Sequence, residues 1–275
     1  MTAHALVTRR MVLKDMGKAG LAVMVFGVAA CSEEPTDEAT PTEGPGTTPT
    51  EASSTTTPST STSSGSTSTT SESTAGHEWH RVNLGFVSAY ILYRNGEAAI
   101  VDTGVEGSEG SIEEALAEIG LGWGDVGALV VTHLHPDHQG SVPAVVQATT
   151  EVLPWFAGAA DIDRIDAPTE GQAVGDGDTV GDGLQIIETP GHTPGHISVL
   201  DLVAGILVAG DALNGADGGV VGANPSFSDD MDLANASVAK LAGFDYEVAL
   251  FGHGEPVLKG AATRVADLAR SLDGG

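Results

Sequence analysis

The chain has 275 residues, enough for one or two domains, and a formal net charge of −27. That acidity argues against nucleic acid or an anionic membrane surface as a partner, since both attract basic proteins. A single cysteine excludes an intrachain disulfide and any thiolate cluster for a metal.

Charge divides the chain into three kinds of polymer. Residues 1–31 carry Arg9, Arg10, Lys14 and Lys18 against Asp15, a net of +3. The paired arginines and the apolar run Gly20–Ala30 resemble a twin-arginine export signal. Eleven residues are too few to cross a hydrocarbon core of about 30 Å as a helix. The run ends in "VAAC", which resembles a lipobox. It implies a signal peptide over 1–30, cleavage before Cys31 and a lipid on that sulfur. The expectation is an exported lipoprotein on the outer face of the cytoplasmic membrane, touching the membrane only through its anchor. Residues 32–76 hold seven acids, no base and no Val, Ile, Leu, Met or aromatic residue. Such a segment cannot bury enough apolar surface to offset its ordering entropy, so 31–76 reads as a lipidated cysteine and an extended, disordered tether.

Residues 77–275 hold thirty acids and seven bases and read as the folded domain. Strands are expected around 87–94 and 97–102, joined by the hairpin signal Asn95-Gly96. Ser111 with Glu114 reads as a capping box before a helix ending near Gly120. A buried strand, "ALVVTH", is followed by a helix near 141–147. After the turn-rich "GDGDTVGDG" come strands at "LQIIET", "ISVLDL" and "GILVAGD". A glycine-containing loop from Leu213 to Asp230 is expected to be mobile and, with Phe227, to wall a pocket. A helix near 230–241, the strand "YEVALF" and a helix near 261–272 complete the chain. Alternating strands and helices point to sheets packed face to face with helices outside.

The chemistry concentrates in "LVVTHLHPDHQG", residues 129–140. Pro136 argues against a helix there. In an extended chain i and i+2 share a side, so His133 and His135 converge. Pro136 then turns the chain, and Asp137 and His138 face a second point nearby. Imidazole and carboxylate both suit zinc and similar divalent ions. Further donors stand at strand-to-loop junctions: His192 and His196 in "ETPGHTPGHISVL", Asp211 in "LVAGDAL" and His253 in "ALFGHGEP".

In this order the set closely resembles the metallo-β-lactamase-fold superfamily of hydrolases, in its glyoxalase-two-like and lactonase-like branch, over residues 80–275. The resemblance implies an α/β fold, a four-layer αββα sandwich with metals at one edge. It implies a first metal site of His133, His135 and His192, and a second of Asp137, His138 and His253, with Asp211 bridging. Asp102 in "VDTG" orients the metal loop, and His196 faces substrate or supports a ligand. Two divalent ions about 3.5–4 Å apart, zinc foremost with iron or manganese as alternatives, would share a hydroxide. Asp137 would both ligate and move a proton, and Asp137 and His196 are the catalytic candidates. The expected reaction is hydrolysis of a small activated acyl compound: ester, thioester, lactone or lactam.

Substrate evidence is mostly negative. Asp211 occupies the bridging place where true metallo-β-lactamases generally lack an aspartate. Asn214 stands where lactonases of this fold carry a tyrosine. "ALNGADGGVVGANPSF" holds neither base nor tyrosine for glutathione. An iron-dependent oxidoreductase such as a persulfide dioxygenase, a β-lactamase, and a metal-containing binding lipoprotein without turnover stay open as alternatives.

Overall fold

The computed structural model describes residues 76–149, 151–272 and 274. The export signal, Cys31 and the tether lie outside the described residues.

Strands β1 (Glu78–Asn83), β2 (Ser88–Arg94) and β3 (Glu97–Val101) form an antiparallel meander. The β2–β3 turn is the expected Asn95-Gly96, with φ of 56° and 84°, both left-handed as a two-residue hairpin requires. Helix α1 (Glu109–Glu118) leads to β4 (Val126–Val131), then the one-turn α2 (Pro136–Gln139) and α3 (Val142–Ala148). Strands β5 (Trp155–Gly158) and β6 (Gln172–Val174) follow. They complete a six-stranded sheet in the order β1-β2-β3-β4-β5-β6, parallel from β3 onward.

The second sheet is built from β7 (Thr179–Val180), β8 (Leu184–Glu188), β9 (Ile197–Asp201), β10 (Ile206–Val208) and β13 (Val248–Leu250). Its order is β13-β10-β9-β8-β7. Between β10 and β13 lie the hairpin β11 (Leu213–Ala216) and β12 (Gly219–Gly222) and helix α4 (Met231–Leu241). Helix α5 (Ala261–Leu272) comes last. No helix among the described residues is long and apolar enough to cross a membrane.

Period-two alternation produces the layers. Ile91, Ile100 and Leu129 of the first sheet face α1 and α3, meeting Ile112, Leu116 and Val145. Their neighbours Leu92, Val101 and Val130 face the second sheet's Ile186, Val199 and Val208. Leu200 and Leu207 face outward again, onto Val238 of α4 and Val265 of α5. Each central strand is buried on both sides, and the four layers are helix, sheet, sheet, helix.

Three local expectations are corrected, and four strands are added. Helix α1 starts at Glu109 with Ser108 as N-cap, so Ser111 lies within the first turn and no capping box forms there. Ser108 is held in that place by Ser141, whose Oγ accepts from Ser108 N at 2.8 Å. Pro136 does not prevent a helix but begins one: at the first helical position its missing N–H has no partner to lose. The 213–230 segment, read as a loop, contains the β11–β12 hairpin, with Leu213 opposite Gly222. Strands β1, β5, β6 and β7 had no assignment from the sequence.

Candidate metal centre

Strand β4 delivers the histidine-rich loop from the middle of the first sheet. Asp102, at the end of β3 with φ of 64°, fixes that loop. Its Oδ1 accepts from Thr132 N at 2.7 Å. Its Oδ2 accepts from Thr132 Oγ1 and His138 Nδ1, both at 2.8 Å. Asp tolerates the left-handed region better than most residues, so a short carboxylate here both shapes the turn and ties β3, β4 and α2 together. Asp102 thus lies behind the cluster and not in it.

The extended run through His135 brings His133 Nε2 to 3.1 Å from His135 Nδ1. His192, from the loop before β9, adds its Nε2 at 2.9 Å from the same Nδ1. One turn of α2 presents Asp137 and His138 beside His253, which follows β13. His253 Nε2 lies 3.4 Å from Asp137 Oδ2. Asp211, after β10, reaches both groups. Its Oδ2 is 3.4 Å from His192 Nε2 and 3.2 Å from His253 Nε2, and its Oδ1 is 3.3 Å from His138 Nε2. Donor atoms of His133, His135 and His192 lie within 4.8 Å of one another, as do those of Asp137, His138 and His253.

The cluster fits a divalent cation on the evidence of its spare atoms. Each convergent imidazole except His135 has its other nitrogen on an acceptor: His133 Nδ1 on Thr132 Oγ1, His192 Nδ1 on Ser228 Oγ, His138 Nδ1 on Asp102, His253 Nδ1 on Phe86 O. The two hydroxyls donate elsewhere, to Asp102 and to Asn224 O, so they accept from the rings. Nε2 of each of these four rings is therefore the nitrogen turned inward, which is how metal-ligating histidines are oriented. His138 Nε2 and Asp211 Oδ1 are buried without a hydrogen-bond partner, an expensive arrangement that a cation would relieve.

Proton affinities divide the cluster. Burial, reinforced by the neighbouring imidazoles, pushes His133 well below the usual histidine range. Burial likewise holds His192 at about 4, against the pull of Asp211. Hydrogen bonds to Asp137 and then Asp211 push His253 up to about 10. Burial would raise the Asp211 carboxyl, but His138, His253 and His192 outweigh it and hold it far below the usual range. Asp137 is lowered chiefly by its contact with His253. Imidazoles of lowered proton affinity, His133 and His192, thus stand on one side of the cluster, while the raised imidazoles His138 and His253 pair with the carboxylates on the other.

Of the two places expected for His196, facing substrate or supporting a ligand, its contacts match the second and leave it no catalytic contact with the cavity. Its ring is buried, and both nitrogens are engaged. Nε2 accepts from Asp211 N at 3.0 Å, so Nδ1 carries the proton and donates to Thr189 Oγ1 at 2.8 Å. Thr189 passes the chain to Ser198 Oγ, which donates to Ala209 O. This closed relay holds the β10 terminus that presents Asp211; the hydroxyl and imidazole groups stand behind the site and none lines the cavity. The equal spacing of the two histidines in "PGHTPGH" conceals this difference. Gly210 makes the packing feasible, because a Cβ there would stand 2.7 Å from His196 Nε2.

One residue escaped the sequence reading. Buried Asp161 accepts from Leu134 N at 3.1 Å, Thr193 Oγ1 at 2.5 Å and Gly195 N at 2.8 Å. It joins the His133–His138 loop to the His192–His196 loop. Nothing in "AADIDR" marks it out.

A cavity of about 890 Å³ opens over the cluster, lined by His135, Asp137, His192, Asp211 and His253 at one end and by Phe86, Val221, Pro225 and Phe227 along its walls. Asn214 also lines it.

A four-layer αββα sandwich with a His/Asp cluster at the strand ends defines a metallo-hydrolase scaffold. The comparison with known families agrees: the metallo-beta-lactamase superfamily profile matches residues 82–253, and the chain belongs to that superfamily. Its hydrolase relatives include the "Probable metallo-hydrolase YflN" of Bacillus subtilis, 27% identical over 239 residues, covering 70% of this chain and 90% of that protein. The "Hydroxyacylglutathione hydrolase" of Methylobacillus flagellatus is 34% identical over 146 residues, 48% of this chain. The match spans only 50% of that second relative's length. Among solved structures, the metallo-beta-lactamase family protein TTHA1429 of Thermus thermophilus superposes with a TM-score of 0.58 at 23% identity, over 72% of this chain and 80% of that one. The metallo-beta-lactamase SMB-1 gives 0.57 at 21% identity, over 72% and 93%. At these identities the two structures speak for the fold alone.

Proposed function

We propose that this superfamily hydrolase cleaves an activated acyl compound, an ester, thioester or lactone, using two divalent metal ions, zinc foremost. His133, His135 and His192 would hold one ion, Asp137, His138 and His253 the other, and Asp211 would be shared. The observation that carries this reading is the position of Asp211, whose carboxylate approaches donors of both groups at the floor of a ligand-sized cavity. When bound, two such ions supply Lewis acidity for a carbonyl oxygen and lower the pKa of water towards neutrality.

The chain's own residues do the rest. Asp137 is partly exposed and lines the cavity, and its contact with His253 lowers its carboxyl. It is therefore placed to accept and return a proton beside the reacting carbonyl. Asp102 and the His196 relay act from behind, holding His138 and Asp211 in place. Phe86 and Phe227, from two loops, add aromatic wall to the cavity. No serine, threonine or cysteine lines the cavity among the described residues, so a side-chain nucleophile has no support there. The hydroxyacylglutathione hydrolase relatives support acyl hydrolysis as the reaction class.

Metal quantification on the purified protein, with a panel of chromogenic esters, thioesters, lactones and a cephalosporin, tests this. About two zinc ions per chain and turnover of an ester, thioester or lactone are expected. One iron with oxygen uptake would replace the reading with an oxidoreductase. Bound metal without turnover across the panel would leave a binding protein. The same proposal places the domain outside the cell on a lipid at Cys31. Cys31→Ser should move it from the membrane to the soluble fraction or leave the precursor uncut, and unchanged processing and fractionation would reject the anchor.

A further inference from the structure

Among the described residues, sixteen line the cavity over the cluster, and none of them is a lysine, arginine or tyrosine. Apart from the His/Asp donors and two asparagines, the walls are Phe, Val, Ala, Pro and Gly. Asn224 has its Oδ1 on Ser226 N, and Asn214 donates to Gly222 O. The charged side chains that follow His192 in the backbone network are acids: Asp229 N bonds His192 O and Asp230 N bonds Gly191 O. Arg81 approaches the segment after His253, but its Nε is on Ser88 Oγ, its Nη1 on Glu255 and its Nη2 on Gly254 O. Phe86 and Phe227 belong to different loops and are 65% and 67% exposed, although both line the cavity. Two large exposed aromatic rings on one concave surface mark a ligand-binding wall.

A carboxylate or sulfonate held against the walls away from the metal centre loses water and finds no cationic side chain, which is unfavourable unless a partner replaces the lost hydration. An apolar chain meets the opposite situation, gaining about fourfold in affinity for each methylene fully buried. We infer that the pocket selects neutral acyl compounds whose apolar chain lies between Phe86 and Phe227, and rejects those carrying an anionic group on that chain. This deepens the acyl-hydrolase reading and rests on it for the reaction, though not for binding.

Calorimetric titration of the zinc-loaded protein separates the two. The probes are octanamide, which is too unreactive to be consumed, butanamide, and octanamide bearing a terminal sulfonate, a poor metal ligand. Octanamide is expected to bind at least about tenfold more tightly than butanamide, a fraction of the full methylene gain. It should also exceed the sulfonate by at least about tenfold, the worth of one missing charge-assisted bond. Phe86→Ala and Phe227→Ala should each weaken octanamide several-fold, and Val221→Lys should recover sulfonate binding. Equal or tighter binding of the sulfonate, no binding of octanamide, or no dependence on chain length would each overturn the assignment. Hydrolysis of p-nitrophenyl octanoate and of its ω-carboxylate analogue is read separately. Octanamide binding with no turnover of any acyl compound removes the hydrolase reading and upholds the pocket's selectivity. Equal turnover of charged and neutral esters does the reverse.

Discussion

Replacing Asp161 by alanine should loosen two ligand-bearing loops at once. The carboxylate accepts from Leu134 N, between His133 and His135, and from Thr193 Oγ1 and Gly195 N beside His192. Hydrogen bonds to a charged group contribute about 1.5–3 kcal/mol each, and three stranded donors add their own desolvation. The bonds share one residue and do not add, so the expected loss is about 4 kcal/mol, near the upper end for a single substitution. For a domain of roughly 200 residues that corresponds to a fall in Tm of about 10 °C. Because outer partners of metal ligands typically matter 10–100-fold, zinc affinity should fall by about that factor as well. Thermal melting by circular dichroism, with metal titration followed by a chromogenic chelator, measures both. Asp161→Asn, which keeps one acceptor oxygen, should lie between wild type and Asp161→Ala. Exposed Asp163→Asn is the control. A folded Asp161→Ala variant with wild-type Tm and wild-type zinc affinity would refute the bridging role.

Three further substitutions bear on the same architecture. Asp211→Ala should drop metal content from about two ions per chain towards one or fewer and reduce turnover by orders of magnitude; a folded variant with undiminished metal and rate ends the shared-ligand idea. Gly252→Ala places a Cβ 2.2 Å from Asp211 Oδ1 and 2.5 Å from His138 Cε1. It should destabilise by about 1–3 kcal/mol and reduce metal content at the Asp137–His138–His253 group; two tightly held ions would contradict the geometry. Asp201→Asn tests a pH dependence: burial alone would raise this carboxyl, but bonds from Ala204 N, His77 and Val203 N outweigh it and lower it. A lowered carboxyl stabilises the fold above its unfolded value of about 4 and loses that contribution as pH falls further. The variant should therefore melt below wild type at pH 7, by about 2 kcal/mol, and the gap should narrow at pH 3.5. A gap that widens in acid would reverse the sign of the argument.

The donors were legible in the sequence because each follows an apolar strand that the fold must end at the same edge. "ALVVTH", "LVAGD" and "ALFGH" announce both the strand and the side chain at its tip. Asp102 came from the resemblance of "VDTG" to the family's pattern and not from its own local sequence. Asp161 was not legible, since its three partners lie 27, 32 and 34 residues away and its own neighbours have no pattern. The role of His196 depends on Thr189 and on a backbone N–H of Asp211, and backbone donors leave no trace in a string of side chains. Edge strand β1 is polar at Glu78, His80 and Arg81, so alternation is weak there. Strands β5, β6 and β7 have four, three and two residues, too few to show a period. The start of α1 was misplaced because Ser108 is chosen by Ser141, a tertiary contact, over the local capping signal.

The proposed ligands are divided between the two halves of the sandwich. His133, His135, Asp137 and His138 hang from the first sheet, while His192, Asp211 and His253 hang from the second. Neither half alone assembles a full set for either group. During refolding, a cation offered early would meet only weak partial sites, and tight capture must wait until the sheets have closed on each other. On the proposed ligand set, the moment at which the chain begins to hold a divalent ion against a chelator would therefore be a clock for sheet docking, readable by stopped flow without any label on the protein.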